Sequence, residues 1–203
     1  MLNCKSIVEW MYSVWYPMTK EFDSIILIAL KEEAPAMAKW ANVFFTGVGK
    51  VNAGISAGKL IERYKPKTVW NFGTAGGISV DSGIHEIKNF VQRDMDCTPM
   101  GFEEGQTPFE DQLVISFGDT INDMCCSSGD NFVNNNSDDW VVADVVEMEA
   151  YAIAKACKKA GVDFKCFKYV SDQADENASD DWHKTVADGE QHYINAYLDV
   201  KNG

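Results

Sequence analysis

Residues 24–30, Ser24-Ile25-Ile26-Leu27-Ile28-Ala29-Leu30, decide the fold class. The run is short, apolar after its serine and rich in isoleucine, the pattern of a strand buried on both faces. Such strands belong to sheets covered by helices, so the flanking sequence should alternate between strand and helix patterns. Working outward, Glu32–Trp40 reads as a helix and Val43–Phe45 as a second strand ending at Gly47-Val48-Gly49. Asn52–Tyr64 has small residues with Leu60 and Ile61 at helical spacing, and Pro66 stops it. Thr68–Phe72 is a third strand, followed at once by the loop Gly73-Thr74-Ala75-Gly76-Gly77. His85–Val91 reads as a strand, Arg93–Glu110 as a loop of prolines, glycines and acids, and Gln112–Phe117 as a short strand. Asp119–Asp139 is polar and irregular, and Trp140–Val146 is strand-like. Glu149–Ala160 is a helix closed by Gly161, Phe164–Val170 the next strand, and Asp180–Val200 a final helix. This alternation is that of an α/β domain with a largely parallel sheet, without internal repeats or an evident linker.

The chain has 203 residues, 46 % apolar and 24 % charged, the balance of one ordinary globular domain. Residues 21–203 are expected to form it. Residues 1–20 read as an extension that packs on the body or a partner, or as a partly ordered tail; Glu9 interrupts their apolar stretch and no cleavage site follows. The net charge is −13 and the arginines are Arg63 and Arg93 alone, which argues against a nucleic acid or an anionic membrane as partner. No run of 18 apolar residues is present to span a membrane. The six cysteines form no C-x-x-C pair and the histidines are three, so no zinc spacing can be built and no metal is expected. Reduced thiols in a cytoplasmic protein are the expectation.

Ligands on such sheets sit beyond the strand C-termini. Those positions hold Glu32 and Glu33; Gly47-Val48-Gly49-Lys50; Gly73–Gly77; Glu147-Met148-Glu149; and Ser171-Asp172. Several carboxylates beside glycine-rich backbone fit acid–base chemistry on an uncharged polar ligand. Gly47-x-Gly49 has Asn52 where a third dinucleotide-binding glycine would stand, and Val51 follows Lys50 where a P-loop needs Ser or Thr. That loop reads as a tight turn or as a ligand contact, whereas Gly76-Gly77 would let a flat ligand approach the backbone. Glu149 could accept hydrogen bonds from two adjacent hydroxyls, such as a ribose diol, or simply favour a helix N-terminus. Asp172 could be a general acid with a raised pKa, or the side chain of a cap or Asx turn.

Six stretches taken together resemble the nucleoside phosphorylase/nucleosidase superfamily, and within it the methylthioadenosine/S-adenosylhomocysteine nucleosidase branch. They are Ala29–Glu33, Gly47–Ala53, Asn71–Gly77, Ser128–Val133, Val146–Ala150 and Ser171–Asp175, in the family's order. The resemblance implies a three-layer α/β/α sandwich around a twisted mixed sheet, no cofactor, a homodimer, and a small purine nucleoside as ligand. It implies that Glu33 activates the attacking water, Asp172 protonates N7 of the purine and Glu149 holds the ribose hydroxyls. Met148 would pack on the sugar, Thr74, Ala75 and Gly76 would line the sugar and base pocket, and Ser171 would be a further substrate-binding residue. Phe132 would stack near the base and the Val133 backbone contact it.

Cleaving an N-glycosidic bond requires a purine made neutral by protonation and an oxocarbenium-like sugar trapped by water, the work of two carboxyl groups as in inverting glycoside hydrolysis. The chain departs from the family between Trp40 and Val43, where extra strands are usual, and from Gly118 to Ser128, which is short. Lys168 stands where the nucleosidases more often have arginine. A phosphorylase on the same fold is the nearest alternative. It must hold a phosphate dianion, yet Arg63 falls mid-helix, Arg93 in the acidic loop, and Glu33 would repel the anion. A non-catalytic nucleoside-binding protein is the other alternative.

Overall fold

The computed structural model describes residues 21–120, 122–135 and 143–202. The expected extension 1–20 lies outside the described residues, as do Trp140, Val141 and Val142 of the expected strand Trp140–Val146. In chain order the elements are β1 (Ser24–Ile28), β2 (Val43–Phe45), α1 (Lys50–Tyr64), β3 (Thr68–Gly77), β4 (Gly83–Ile87) and β5 (Asn89–Gln92). Then follow β6 (Ile115–Ser116), β7 (Cys125–Ser128), β8 (Val145–Glu147), α2 (Ala150–Ala160), β9 (Asp163–Asp172), α3 (Ala178–Thr185) and α4 (Glu190–Asn202).

The strands form one mixed sheet in the order β2-β1-β3-β8-β7-β5-β6, with β9 against β3 and β4 against β9. β1 runs parallel to β2 and β3, and β9 runs parallel to β3 over its whole length. β8 meets β3 antiparallel at Gly76 and Gly77, beyond the last β1 pairing at Asn71. Helices cover both faces. Ile25, Leu27 and Val69 pack with Ala53, Ala57 and Ile61 of α1 and Ile153, Ala154 and Cys157 of α2. Ile26, Ile28, Trp70 and Phe72 point the other way, onto Met37 and onto Tyr193 and Tyr197 of α4. The unbroken apolar run of β1 follows from this: Ile25 to Ile28 are all fully buried, each burial worth on the order of 1.5–3 kcal/mol. The fold is the α/β/α sandwich on a curled mixed sheet.

The local structure corrects several sequence expectations. Glu32–Trp40 is not a helix but two 3-10 turns, Lys31–Glu33 and Met37–Lys39. Pro35 disfavours helical backbone at Ala34, which is extended in φ at −151°. The second turn is capped from afar, because the Ala36 and Met37 amides donate to Glu190 Oε1 at 2.7 and 2.8 Å. Gly73–Gly77 is not a loop but the second half of β3, held in the sheet by β9 and β8. His85–Val91 is two strands, β4 paired with β9 and β5 with β7, because the chain changes partners around Lys88. Within the expected irregular region, Cys125–Ser128 forms β7 between β5 and β8. The final helix is two, α3 and α4, split before Gly189, where a Cβ would stand 2.3 Å from the Tyr193 hydroxyl.

Candidate active site

The C-terminal ends of the strands and the segments that follow them enclose one cavity of about 290 Å³. Glu33 reaches it from the 3-10 turn after β1, Thr74, Ala75 and Gly76 from the end of β3, and Ser171 and Asp172 from the end of β9. Phe132 and Val133 come from the segment after β7, and Met148 and Glu149 from the junction of β8 and α2. The structure thus brings all ten sequence-selected residues to one wall or another of a single cavity. Gly76 is required by this crowding. A Cβ there would lie 2.9 Å from Asp172 Oδ1 and 3.0 Å from the Ala174 Cβ.

Glu33 is buried and held by three donors. Thr74 donates from its amide at 2.8 Å and its hydroxyl at 2.9 Å to Oε1, and the Leu30 amide donates to Oε2 at 2.9 Å. Asp172 accepts from the Ala174 amide at 2.9 Å and bonds the Ser171 hydroxyl at 2.8 Å. This is the Asx-type turn weighed as an alternative, with Ala174 at φ 53°, and the carboxyl lines the cavity as well. Burial raises the Asp172 pKa above the ordinary carboxyl value against the pull of those two bonds.

Glu147 and Glu149 diverge although they are two residues apart. Glu147 takes the helix N-terminus: it accepts from the Glu149 amide at 2.9 Å and the Ala150 amide at 2.8 Å. It also accepts from the Ser128 hydroxyl and from Lys168 Nζ at 2.9 Å. Burial opposes its charge, but Lys168 and these donors prevail and hold its carboxyl below the ordinary range. Glu149, the N-cap residue of α2, therefore makes no side-chain cap bond of its own. Glu149 instead accepts the Gly49 amide at 2.8 Å, which gives the Gly47–Lys50 turn, with φ of 80° and 94° at its glycines, a place in the site. Burial, then the charge of Glu147, pushes Glu149 up to about 8.

Sequence reasoning placed Arg93 in an acidic loop and gave Glu147, Ser128 and Trp182 no role. Arg93 in fact follows β5 directly, is buried and lines the cavity. Its guanidinium donates to the carbonyls of Ser127 and Glu147 at 2.7 and 2.8 Å, and to those of Gly129 and Asn131 at 3.3 and 2.7 Å. The one available signal was its position: an arginine immediately behind a short apolar strand. Lys168, fully buried on β9, is paired in register with Gly73 and passes over it, since a Cβ on Gly73 would stand 3.4 Å from Nζ. The same Cβ would stand 3.2 Å from Glu33 Oε1, so Gly73 lets the Glu33 carboxyl and the lysine lie side by side. Ser179, Trp182 and His183 of α3 close the cavity. Among the described residues no cluster of His, Cys, Asp and Glu is placed to hold a metal, and no helix is long and apolar enough to cross a membrane.

Fold and cavity together define an α/β protein with a carboxyl-rich pocket at its strand ends. The family profile described as "Phosphorylase superfamily" matches residues 38–198, and the chain belongs to this superfamily of nucleoside phosphorylases and nucleosidases. A 5′-methylthioadenosine/S-adenosylhomocysteine nucleosidase from Exiguobacterium sp. is 33 % identical over 161 residues, which cover 66 % of this chain and 68 % of that protein. Among solved structures, a futalosine hydrolase mutant of Helicobacter pylori superimposes with a TM-score of 0.78 at 20 % identity over 87 % of this chain and 98 % of its own. An MTAN mutant of the same organism, with 5′-methylthioadenosine in its active site, gives 0.78 at 20 % identity over 87 % and 97 %. At that identity both are likenesses of fold.

Proposed function

We propose that the protein hydrolyses the N-glycosidic bond of a purine nucleoside, with water as the nucleophile and without a cofactor. The observation that carries this reading is the carboxyl-rich lining of the cavity, in which no cation is left for a phosphate among the described lining residues. Glu33, Glu147, Glu149 and Asp172 all line it, while the arginine of the lining, Arg93, is spent on four backbone carbonyls. A phosphate dianion would meet carboxyl groups there, whereas an uncharged nucleoside would meet hydrogen-bond acceptors and a proton donor. Asp172, with its raised pKa, supplies a proton to N7, so the base leaves neutral. Glu33, held in place by the Thr74 and Leu30 donors, takes a proton from the water that attacks C1′. Glu149 binds the ribose diol, Met148 the sugar, and Phe132 and Val133 the base. The products are free purine and the sugar with the water oxygen at C1′.

The relatives favour 5′-methylthioadenosine, S-adenosylhomocysteine or a related 5′-deoxyadenosine nucleoside as substrate, with adenine as the base released. The expected homodimer belongs to the same proposal, and sedimentation velocity tests it. The deciding experiment is purine release in phosphate-free buffer from methylthioadenosine, S-adenosylhomocysteine, 5′-deoxyadenosine, adenosine and inosine, each with and without phosphate. Release without phosphate is expected. Release only with phosphate makes the protein a phosphorylase, and no release from any of the five moves it to a binding role.

A further inference from the structure

Trp182 has no part in the bond cleavage proposed above, yet it is wired to Glu33. It stands on α3, half-buried, with its ring on the cavity. Its indole Nε1 is 3.0 Å from Thr74 Oγ1, and Thr74 Oγ1 is 2.9 Å from Glu33 Oε1. Chemistry fixes the direction of both bonds. An indole N–H can only donate, and a hydroxyl has a single proton. Trp182 therefore donates to Thr74, occupies an acceptor site of that hydroxyl, and leaves its proton for Glu33. A hydroxyl facing the cavity without this donor could turn its proton toward a ligand or water instead.

We propose that Trp182 is a positioning residue for the general base, acting through the Thr74 hydroxyl to hold Glu33 oriented for the attacking water. α3 follows the proposed acid Asp172 by six residues, so one segment carries the acid and steadies the base. The proposal rests on the hydrolytic reading of the site. It differs from a role in packing against substrate, which any flat apolar ring could fill and which would be felt in KM.

The test is a double-mutant cycle on purine release in phosphate-free buffer, with Trp182→Phe and Thr74→Val. Phenylalanine keeps an aromatic ring and removes the N–H along with part of the indole's bulk; the bulk is lost equally in both backgrounds of the cycle, so the coupling to Thr74 reports the N–H. Trp182→Phe is expected to lower kcat about fivefold, the worth of one neutral hydrogen bond, with KM within about twofold. In the Thr74→Val background the same change should alter kcat less than about 1.5-fold. Thr74→Ser, which keeps the hydroxyl, should restore the sensitivity to Trp182→Phe. Indole N–H resonances of ¹⁵N-labelled protein give a readout independent of turnover: the Trp182 signal should shift and exchange faster in Thr74→Val. An undiminished kcat, an equal loss in both backgrounds, or a rise in KM alone overturns the role of Trp182 and leaves the hydrolytic reading standing. Absence of purine release by the unaltered protein overturns that reading and this inference with it.

Discussion

Glu149→Gln should change how stability depends on pH. Glu149 is 7 % exposed, and burial with the neighbouring Glu147 charge lifts its carboxyl from the ordinary 4.5 to about 8. The folded protein therefore keeps this proton at pH values where the unfolded chain has already lost it. Stability from this group is complete below the unfolded value and is lost as pH rises toward 8. Each unit of pH within that window removes up to about 1.4 kcal/mol, so the interval from pH 6 to pH 8 costs on the order of 2 kcal/mol. For a chain of this size that is roughly 4–8 °C in Tm. Glutamine cannot titrate, yet its Oε1 can still accept the Gly49 amide that Glu149 accepts at 2.8 Å. Calorimetric melts of both proteins at pH 6, 7 and 8 and constant ionic strength isolate the effect, because every other titrating group is common to the pair. The Tm of the unaltered protein should fall relative to the variant by that amount. Parallel curves, or a gap that opens with the opposite sign, would refute the reasoning.

Three further outcomes follow from the same geometry. Asp172→Asn should lower kcat about 10²–10⁴-fold while ligand affinity changes little, since asparagine keeps the shape but cannot deliver the proton; near-normal turnover removes Asp172 as the acid. Lys168→Met should cost about 3–5 kcal/mol in urea denaturation by stranding the buried Glu147, which it now pairs at 2.9 Å, and the double variant Lys168→Met/Glu147→Gln should recover much of that loss. Equal costs in the single and double variants would show that the lysine acts by packing alone. Gly76→Ala should impair ligand binding as well as turnover, because the added methyl would stand 2.9 Å from Asp172 Oδ1 and 3.2 Å from Val146 Cγ2; unchanged binding by calorimetry speaks against that crowding.

The sheet was legible because its signals are local. β1 announces itself as an apolar run, and α2 ends where Gly161 adopts φ 67° as a C-terminal glycine should. Where tertiary pairing overrides local preference, the reading failed. Gly73–Gly77 has loop composition, and only β9 beside it makes it a strand. Cys125–Ser128 is too short and too polar to stand out, yet Cys126, Ser127 and Ser128 are buried between neighbours that the sequence does not place. The selected site residues follow strand ends, so their convergence on one cavity could be anticipated. The groups that set their charge could not. Lys168 and Glu147 are 21 residues apart, and Arg93 bonds carbonyls up to 54 residues away. Those partnerships exist only once β8 and β9 flank β3 and β7 joins β8 to β5.

The four carboxyl groups of the cavity are chemically alike and are made different by their partners. Glu147 has a buried ammonium, a hydroxyl and two helix amides, so it stays charged and serves structure. Its charge then falls on Glu149, whose single amide from Gly49 does not offset burial, so Glu149 holds a proton near neutrality. A ribose diol that donates to Glu149 would supply the missing hydrogen bonds and favour the charged form. Ligand binding at pH 7 should accordingly release a proton, measurable as a binding heat that varies with the ionisation enthalpy of the buffer. Glu33 has three donors and Asp172 one amide and one hydroxyl, a difference in partners that fits the roles of acceptor and proton carrier proposed for them. If the binding heat is the same in all buffers, Glu149 does not take the diol, and the diol must be held elsewhere in the cavity.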